Sequence, residues 1–144
     1  MQILVLGCGR LGARIAMDAV AEGHQVSVID NDPRAFSRLP SDLDAVIVLG
    51  TGIDEDVQRS ASVESVDTFI AVTDNDNTNI MAAQIAKKIF NVDNVLLRVY
   101  DPARAETYRG LGLTVICPTR LVADVIEQEL PDFNLSSSLT GLEE

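Results

Sequence analysis

The chain has 144 residues, 47% of them hydrophobic, and a formal charge of −11 at neutral pH, with 11 Lys and Arg against 22 Asp and Glu. That length predicts one domain, able to bury about two thirds of the surface its unfolded chain exposes. The acidic balance argues against nucleic acid or an anionic membrane surface as partner, since both need clustered cations, and no apolar run is long enough to span a bilayer.

The first strand begins at the initiating Met1, which leaves no room for a signal peptide and leads to the expectation of a cytoplasmic protein. Gln2 to Leu6 is an apolar run with β-branched members and no helical period, which reads as a buried strand. The chain then turns through Gly7-Cys8-Gly9-Arg10-Leu11-Gly12 and enters a helical pattern with apolar residues at Leu11, Ile15, Ala19 and Val20, stopped by Gly23. A second strand, Gln25 to Ile29, closes on Asp30. Strand, G-x-G-x-x-G, helix, strand and acid stand in the order of a dinucleotide fingerprint. Gly7 allows the tight turn, Gly9 lets a pyrophosphate approach the backbone, and Gly12 lets the helix pack near the sheet. The helix start offers free N–H groups to phosphates, and Asp30 offers acceptors to a ribose diol. The bland alternative is a glycine turn that binds nothing.

Pro33 suits a short helix that Pro40 ends, and Ala45 to Leu49 is a third strand, followed by the glycine turn Gly50-Thr51-Gly52 and a polar helix from about Asp54 to Ser60. Asp67 to Val72 is a fourth strand, closing on Thr73-Asp74-Asn75-Asp76. A helix of about Thr78 to Phe90 follows, with Ile80, Met81, Ile85 and Ile89 as its core side. Val95 to Val99 reads as strand five, Pro102 to Arg109 as a helix, Leu113 to Ile116 as strand six, and Leu121 to Leu130, opened by Pro118, as a last helix. Strict alternation predicts an α/β, Rossmann-like, doubly wound parallel sheet of six strands, order 3-2-1-4-5-6, with helices on both faces and a ligand crevice at the strands' carboxyl ends. Residues 1–131 form this domain, and 132–144 read as a flexible or truncated tail.

Several residues carry two readings. Arg10 is a solvated helix-start residue or, because a cation there opposes the helix dipole, a phosphate partner. Asp30 could merely cap the Pro33 helix, and Asp74 and Asp76 could cap the helix that follows them. Arg98, among apolar strand residues, needs either a salt bridge or a ligand. Cys8 and Cys117 are too few for a disulfide framework or a metal cluster and read as small buried thiols, and His24 is a turn residue with no role.

GCGRLG with Arg in fourth place, VID at strand two, VLGTG at strand three, AVTDNDNTNI after strand four, LLRVYDP at strand five and LGLTVICP at strand six together resemble one family. It is the N-terminal regulatory domain of potassium transport proteins, the RCK or KTN (TrkA-N) domain of Trk- and Ktr-type uptake systems, and the resemblance runs from Met1 to about Leu130. It implies a regulator without catalysis or a metal site. The expected cofactor is an adenine nucleotide, NAD(H) or ATP/ADP. The expected partners are an integral-membrane potassium channel or transporter subunit and further copies of the chain, in dimers and an octameric ring. The protein would lie at the inner face of the membrane without inserting into lipid, and the ligand would change the geometry of the ring.

Residue by residue, the resemblance implies that Gly7, Cys8, Gly9, Arg10, Leu11 and Gly12 form the phosphate loop. Asp30 holds the ribose, with Asn31, Asp32 and Arg34 beside the adenosine or its 2′ side. Gly50, Thr51 and Gly52 lie along the adenine, Val72, Thr73 and Asp74 border the sugar or phosphates, and Arg98 reaches terminal phosphates. Thr51 stands where the family often has Asp or Asn, and Thr119 where some members carry an acid. The companion domain that usually follows is missing, so the chain reads as a single-domain member or a cut one. Asp30 selects NAD(H) over NADP(H) but does not choose among NADH, ATP, ADP and AMP. The rival reading is an NAD-dependent oxidoreductase or its isolated cofactor domain, which needs a substrate domain and an acid–base residue. A redox repressor would need a DNA-binding unit.

Overall fold

The computed structural model describes residues 1–130 and Asp132. Six strands, β1 (Gln2–Leu6), β2 (Gln25–Asp30), β3 (Val46–Leu49), β4 (Thr68–Ala71), β5 (Asn94–Arg98) and β6 (Thr114–Ile116), form one sheet in the order β3-β2-β1-β4-β5-β6, every pair parallel. The α-helices are α1 (Arg10–Ala21), α2 (Glu55–Ser60), α3 (Asp76–Lys88), α4 (Pro102–Arg109) and α5 (Pro118–Glu129). The segment opened by Pro33 is a 3₁₀ helix, Pro33–Arg38, capped by Asp32. The tail expected from residue 132 lies, but for Asp132, outside the described residues.

Alternation along the central strands sorts the core into two layers. Leu4, Leu6, Phe69 and Ala71 face α3 and Ala105 of α4, whereas Ile3, Val5, Val26 and Val28 face α1 and the 3₁₀ helix. Covering both faces is what makes strands of a parallel sheet read as nearly continuous apolar runs. From β1 the chain winds out to β2 and β3, and from β4 the opposite way to β5 and β6. The crossovers therefore part company between β1 and β4, and a crevice opens above their carboxyl ends.

Two helices pack differently from their expected faces. In α1 the buried residues are Gly12, Ala13, Ala16 and Ala19, while Leu11 is 43% exposed. In α3 they are Asn79, Ile80, Ala82, Ala83 and Ala86, while Met81 and Ile89 are about half exposed. Small side chains let both axes lie close to the sheet, and the larger ones are left at the margin. Helix α5 starts three residues earlier than expected and buries no residue, leaving Leu121, Val122, Val125, Ile126 and Leu130 exposed.

Candidate functional site

A cleft of about 700 Å³ lies at the switch point, lined by the ends of five strands with their loops and by the 3₁₀ helix. The loop after β1 contributes Gly7, Cys8, Gly9, Arg10 and Leu11, and the end of β2 contributes Asp30, Asn31 and Asp32. Gly50, Thr51 and Gly52 come from the end of β3, and Val72, Thr73 and Asp74 from the end of β4. Arg98 and Tyr100 close the far side, and Arg38 enters from the 3₁₀ helix.

The loop is built by close approach. Gly7 has φ +104°, a conformation costly for other residues, and its N–H donates to the Ile29 carbonyl at 2.8 Å. A Cβ on Gly12 would sit 1.7 Å from the Gly7 oxygen, so helix α1 can start here only without a side chain at that position. Gly12 accordingly lies under the loop and does not line the cleft. Gly9 is different. Its φ is −77°, a Cβ would meet nothing within 4 Å, and it opens α1 with no side-chain cap. The first N–H groups of α1 therefore face the cleft unpaired. Gly50 and Gly52 are held for packing reasons, since a Cβ at either would run into Val57 or Leu6.

Asp30 is not the cap of the following helix. Its carboxylate accepts from the Cys8 N–H at 2.7 Å and from the Asp32 N–H at 2.8 Å, which ties the glycine loop to the end of β2. Each oxygen keeps further lone pairs for a ligand. The Cys8 thiol is fully buried, and burial pushes its pKa up, with Asp30 adding and Arg38 opposing. Asp32 is held below the usual carboxylate range by its hydrogen bonds from Arg34. Arg34, expected beside the adenosine, folds back onto Asp32 with two side-chain bonds of 3.1 Å and does not line the cleft. The cation on that wall is Arg38, which reading the sequence passed over.

Thr73 and Arg98 are organised by a side chain the sequence did not flag. Asn79, fully buried in α3, accepts from the Thr73 N–H and Oγ1 at 3.0 and 2.6 Å and donates to the Thr73 and Arg98 carbonyls at 3.1 and 2.9 Å. Among the described residues Arg98 has no salt-bridge partner, and its guanidinium does not reach freely into the cleft. Its Nη2 donates to the Val72 and Thr73 carbonyls at 2.9 and 3.0 Å, and its guanidinium stacks over Tyr100. The cap of α3 is Asn75, which leaves Asp74 exposed at the cleft rim. Asp76 instead accepts from the Tyr100 and Asp101 N–H groups, away from the cleft. His24 contacts the amino terminus and Glu22, far from this end of the sheet.

A family model described as the TrkA-N domain matches residues 3–118. The chain belongs to the TrkA-N family. Among curated relatives, the Trk system potassium uptake protein TrkA of Streptomyces coelicolor is 43% identical over 130 residues, covering 90% of this chain and 58% of that protein. The chain thus spans little more than half of that relative's length. Among solved structures, the TrkA-N domain of the inner membrane protein ybaL from Escherichia coli superposes with a TM-score of 0.78 at 20% identity, over 90% of this chain and 96% of that one. The AMP-bound Kef CTD of Shewanella denitrificans gives 0.72 at 18% identity, over 99% and 89%. The GsuK channel bound to NAD gives 0.72 at 19% identity, over 85% and 22%. These neighbours share the fold. No described helix is long and apolar enough to cross a membrane, and no three or more His, Cys, Asp or Glu among the described residues gather as metal ligands would.

Within this TrkA-N chain, the expected residues that line the cleft are those of the glycine loop except Gly12, with Asp30, Asn31, Gly50, Thr51, Gly52, Val72, Thr73, Asp74 and Arg98. Arg10, Arg38 and Arg98 gather there against Asp30, Asp32 and Asp74, so a chain of net charge −11 carries a locally balanced cleft. Arg10 has no side-chain partner among the described residues, although it stands at the positive end of α1.

Proposed function

We propose that this chain is the nucleotide-binding regulatory module of a potassium uptake system. The observation that carries the reading is Gly9. Neither its backbone nor any neighbour requires a glycine, yet a side chain there would fill the space in front of the N-terminus of α1. A phosphate group is what that space and those N–H groups accommodate. Gly7, Cys8, Gly9, Arg10 and Leu11 would hold the phosphates through backbone donors and one free guanidinium. Asp30 would take the ribose hydroxyls, Gly50, Thr51 and Gly52 would border the base, and Val72, Thr73 and Asp74 the remaining wall. Arg98 would act through its charge from a fixed position. The ligand class is an adenine nucleotide, NAD(H), ATP, ADP or AMP, in keeping with the AMP and NAD carried by similar structures.

The module would act on an integral-membrane potassium channel or transporter from the cytoplasmic face, as the similarity to a potassium uptake protein implies. Ligand binding would favour one geometry of an assembly of copies, dimers built into an octameric ring, and the membrane partner would respond to that geometry. The uncovered apolar side chains of α5 support self-association, since such a face is rarely left to water. Residues 1–131 would constitute the regulatory domain. Calorimetric titration with ATP, ADP, AMP, NAD⁺ and NADH, with and without magnesium, tests the reading. Micromolar binding of at least one, weakened by Asp30→Ala, is expected, and no heat from any of the five would contradict it.

A further inference from the structure

We propose that Arg38 is a positioning residue of the glycine loop, fixing the Cys8–Gly9 peptide so that the Gly9 N–H faces the phosphate site. The inference rests on the nucleotide-binding reading and names a residue that sets the quality of its phosphate subsite.

The Cys8 residue is braced from both sides. Its N–H donates to Asp30 Oδ2 at 2.7 Å, and its carbonyl accepts from Arg38 Nη1 at 3.4 Å. Two successive peptide units, Gly7–Cys8 and Cys8–Gly9, are thus held by side chains from the end of β2 and from the 3₁₀ helix. A trans peptide is planar, with its C=O and N–H pointing in opposite directions. Holding the Cys8 oxygen toward Arg38 therefore turns the Gly9 N–H away from the 3₁₀ helix. That N–H has no acceptor among the described residues. Without the brace, a unit containing glycine has the backbone freedom to rotate, because Gly9 carries no Cβ to restrict it.

The neighbouring cation cannot do this. Arg34 is committed to Asp32 and does not line the cleft. Pro33 starts the 3₁₀ helix, and Arg38, its last residue, follows the buried Ala35 that anchors the helix to the core. The reach of Arg38 to Cys8 is already long, so a shorter lysine would keep the charge and lose the carbonyl.

The test compares wild type, Arg38→Met and Arg38→Lys, with adenosine and ADP as probes in calorimetry and the Gly9 amide resonance of the ligand-free chain in NMR. Arg38 is exposed, so both variants are expected to fold, and thermal melts check this. Positioning predicts that both variants weaken ADP by about three- to tenfold, the size of a partly exposed charge-assisted hydrogen bond, and leave adenosine within about twofold. It also predicts that the Gly9 amide resonance moves in both variants without ligand. Full recovery of ADP affinity by Arg38→Lys would overturn the proposal in favour of a general charge effect. Equal losses of adenosine and ADP would overturn it in favour of direct contact with the nucleoside, and an unmoved Gly9 amide would overturn it outright. Failure of the wild type to bind ADP would count against the nucleotide reading, while the amide shift, read without ligand, still decides the positioning role.

Discussion

Gly9 and Gly12 stand three residues apart and lack side chains for opposite reasons. At Gly12 the missing Cβ makes room for the Gly7 carbonyl, and at Gly9 it faces open space. The sequence motif assigns both roles, because the spacing itself encodes a turn, an approach and a helix contact. It does not distinguish Arg34 from Arg38, two arginines four positions apart on one short helix. Which of them enters the cleft depends on Asp32, whose carboxylate captures the nearer one. Cys8 is a titration probe of the same loop. Burial raises its thiol pKa, so the folded chain holds that proton to higher pH than the unfolded chain. Folded stability from this group is thus intact below about pH 8.5 and falls as pH rises past the unfolded thiol value. Urea unfolding between pH 7.5 and 10 is expected to show a steeper decline in wild type than in Cys8→Ala; parallel slopes would contradict it.

Among the elements, the six strands were legible because each is a short apolar run bounded by turn residues, and their ends shift by no more than two residues. The packing faces of α1 and α3 were less so. Large apolar residues draw the eye, but close helix–sheet packing selects alanine, and Met81 and Ile89 stay at the surface. Asn79 was hidden for the same reason, a polar side chain at a buried helical position beside Ile80. It bonds four polar groups at the ends of β4 and β5, so its removal takes the partner from the half-buried Thr73 N–H and from the Arg98 carbonyl, while the Thr73 carbonyl keeps its bond from Arg98. Asn79→Ala is expected to cost about 2–4 kcal/mol in urea unfolding, against under about 0.5 kcal/mol for the exposed Met81→Ala. Similar small losses for both would mean the network tolerates rearrangement.

Across the whole molecule, the strand order followed from alternation and right-handed crossovers, two constraints that leave few alternatives. Position of the cleft followed from that order, since opposed windings open a crevice between β1 and β4. What holds the far wall did not follow, because Arg98 is fixed by carbonyls that only the folded chain brings within reach. The uncovered side of α5 is likewise visible only once the helix is seen to bury none of its residues against the rest of the described chain. The central claim is that this architecture presents a phosphate site at Gly9. Titrating wild type and Gly9→Val side by side with ADP and NADH tests it most directly. A Gly9→Val protein that still unfolds cooperatively, its Cβ meeting nothing within 4 Å, yet loses binding at least about tenfold is the predicted result. Unchanged affinity in a folded Gly9→Val protein would contradict the account and move the ligand site elsewhere.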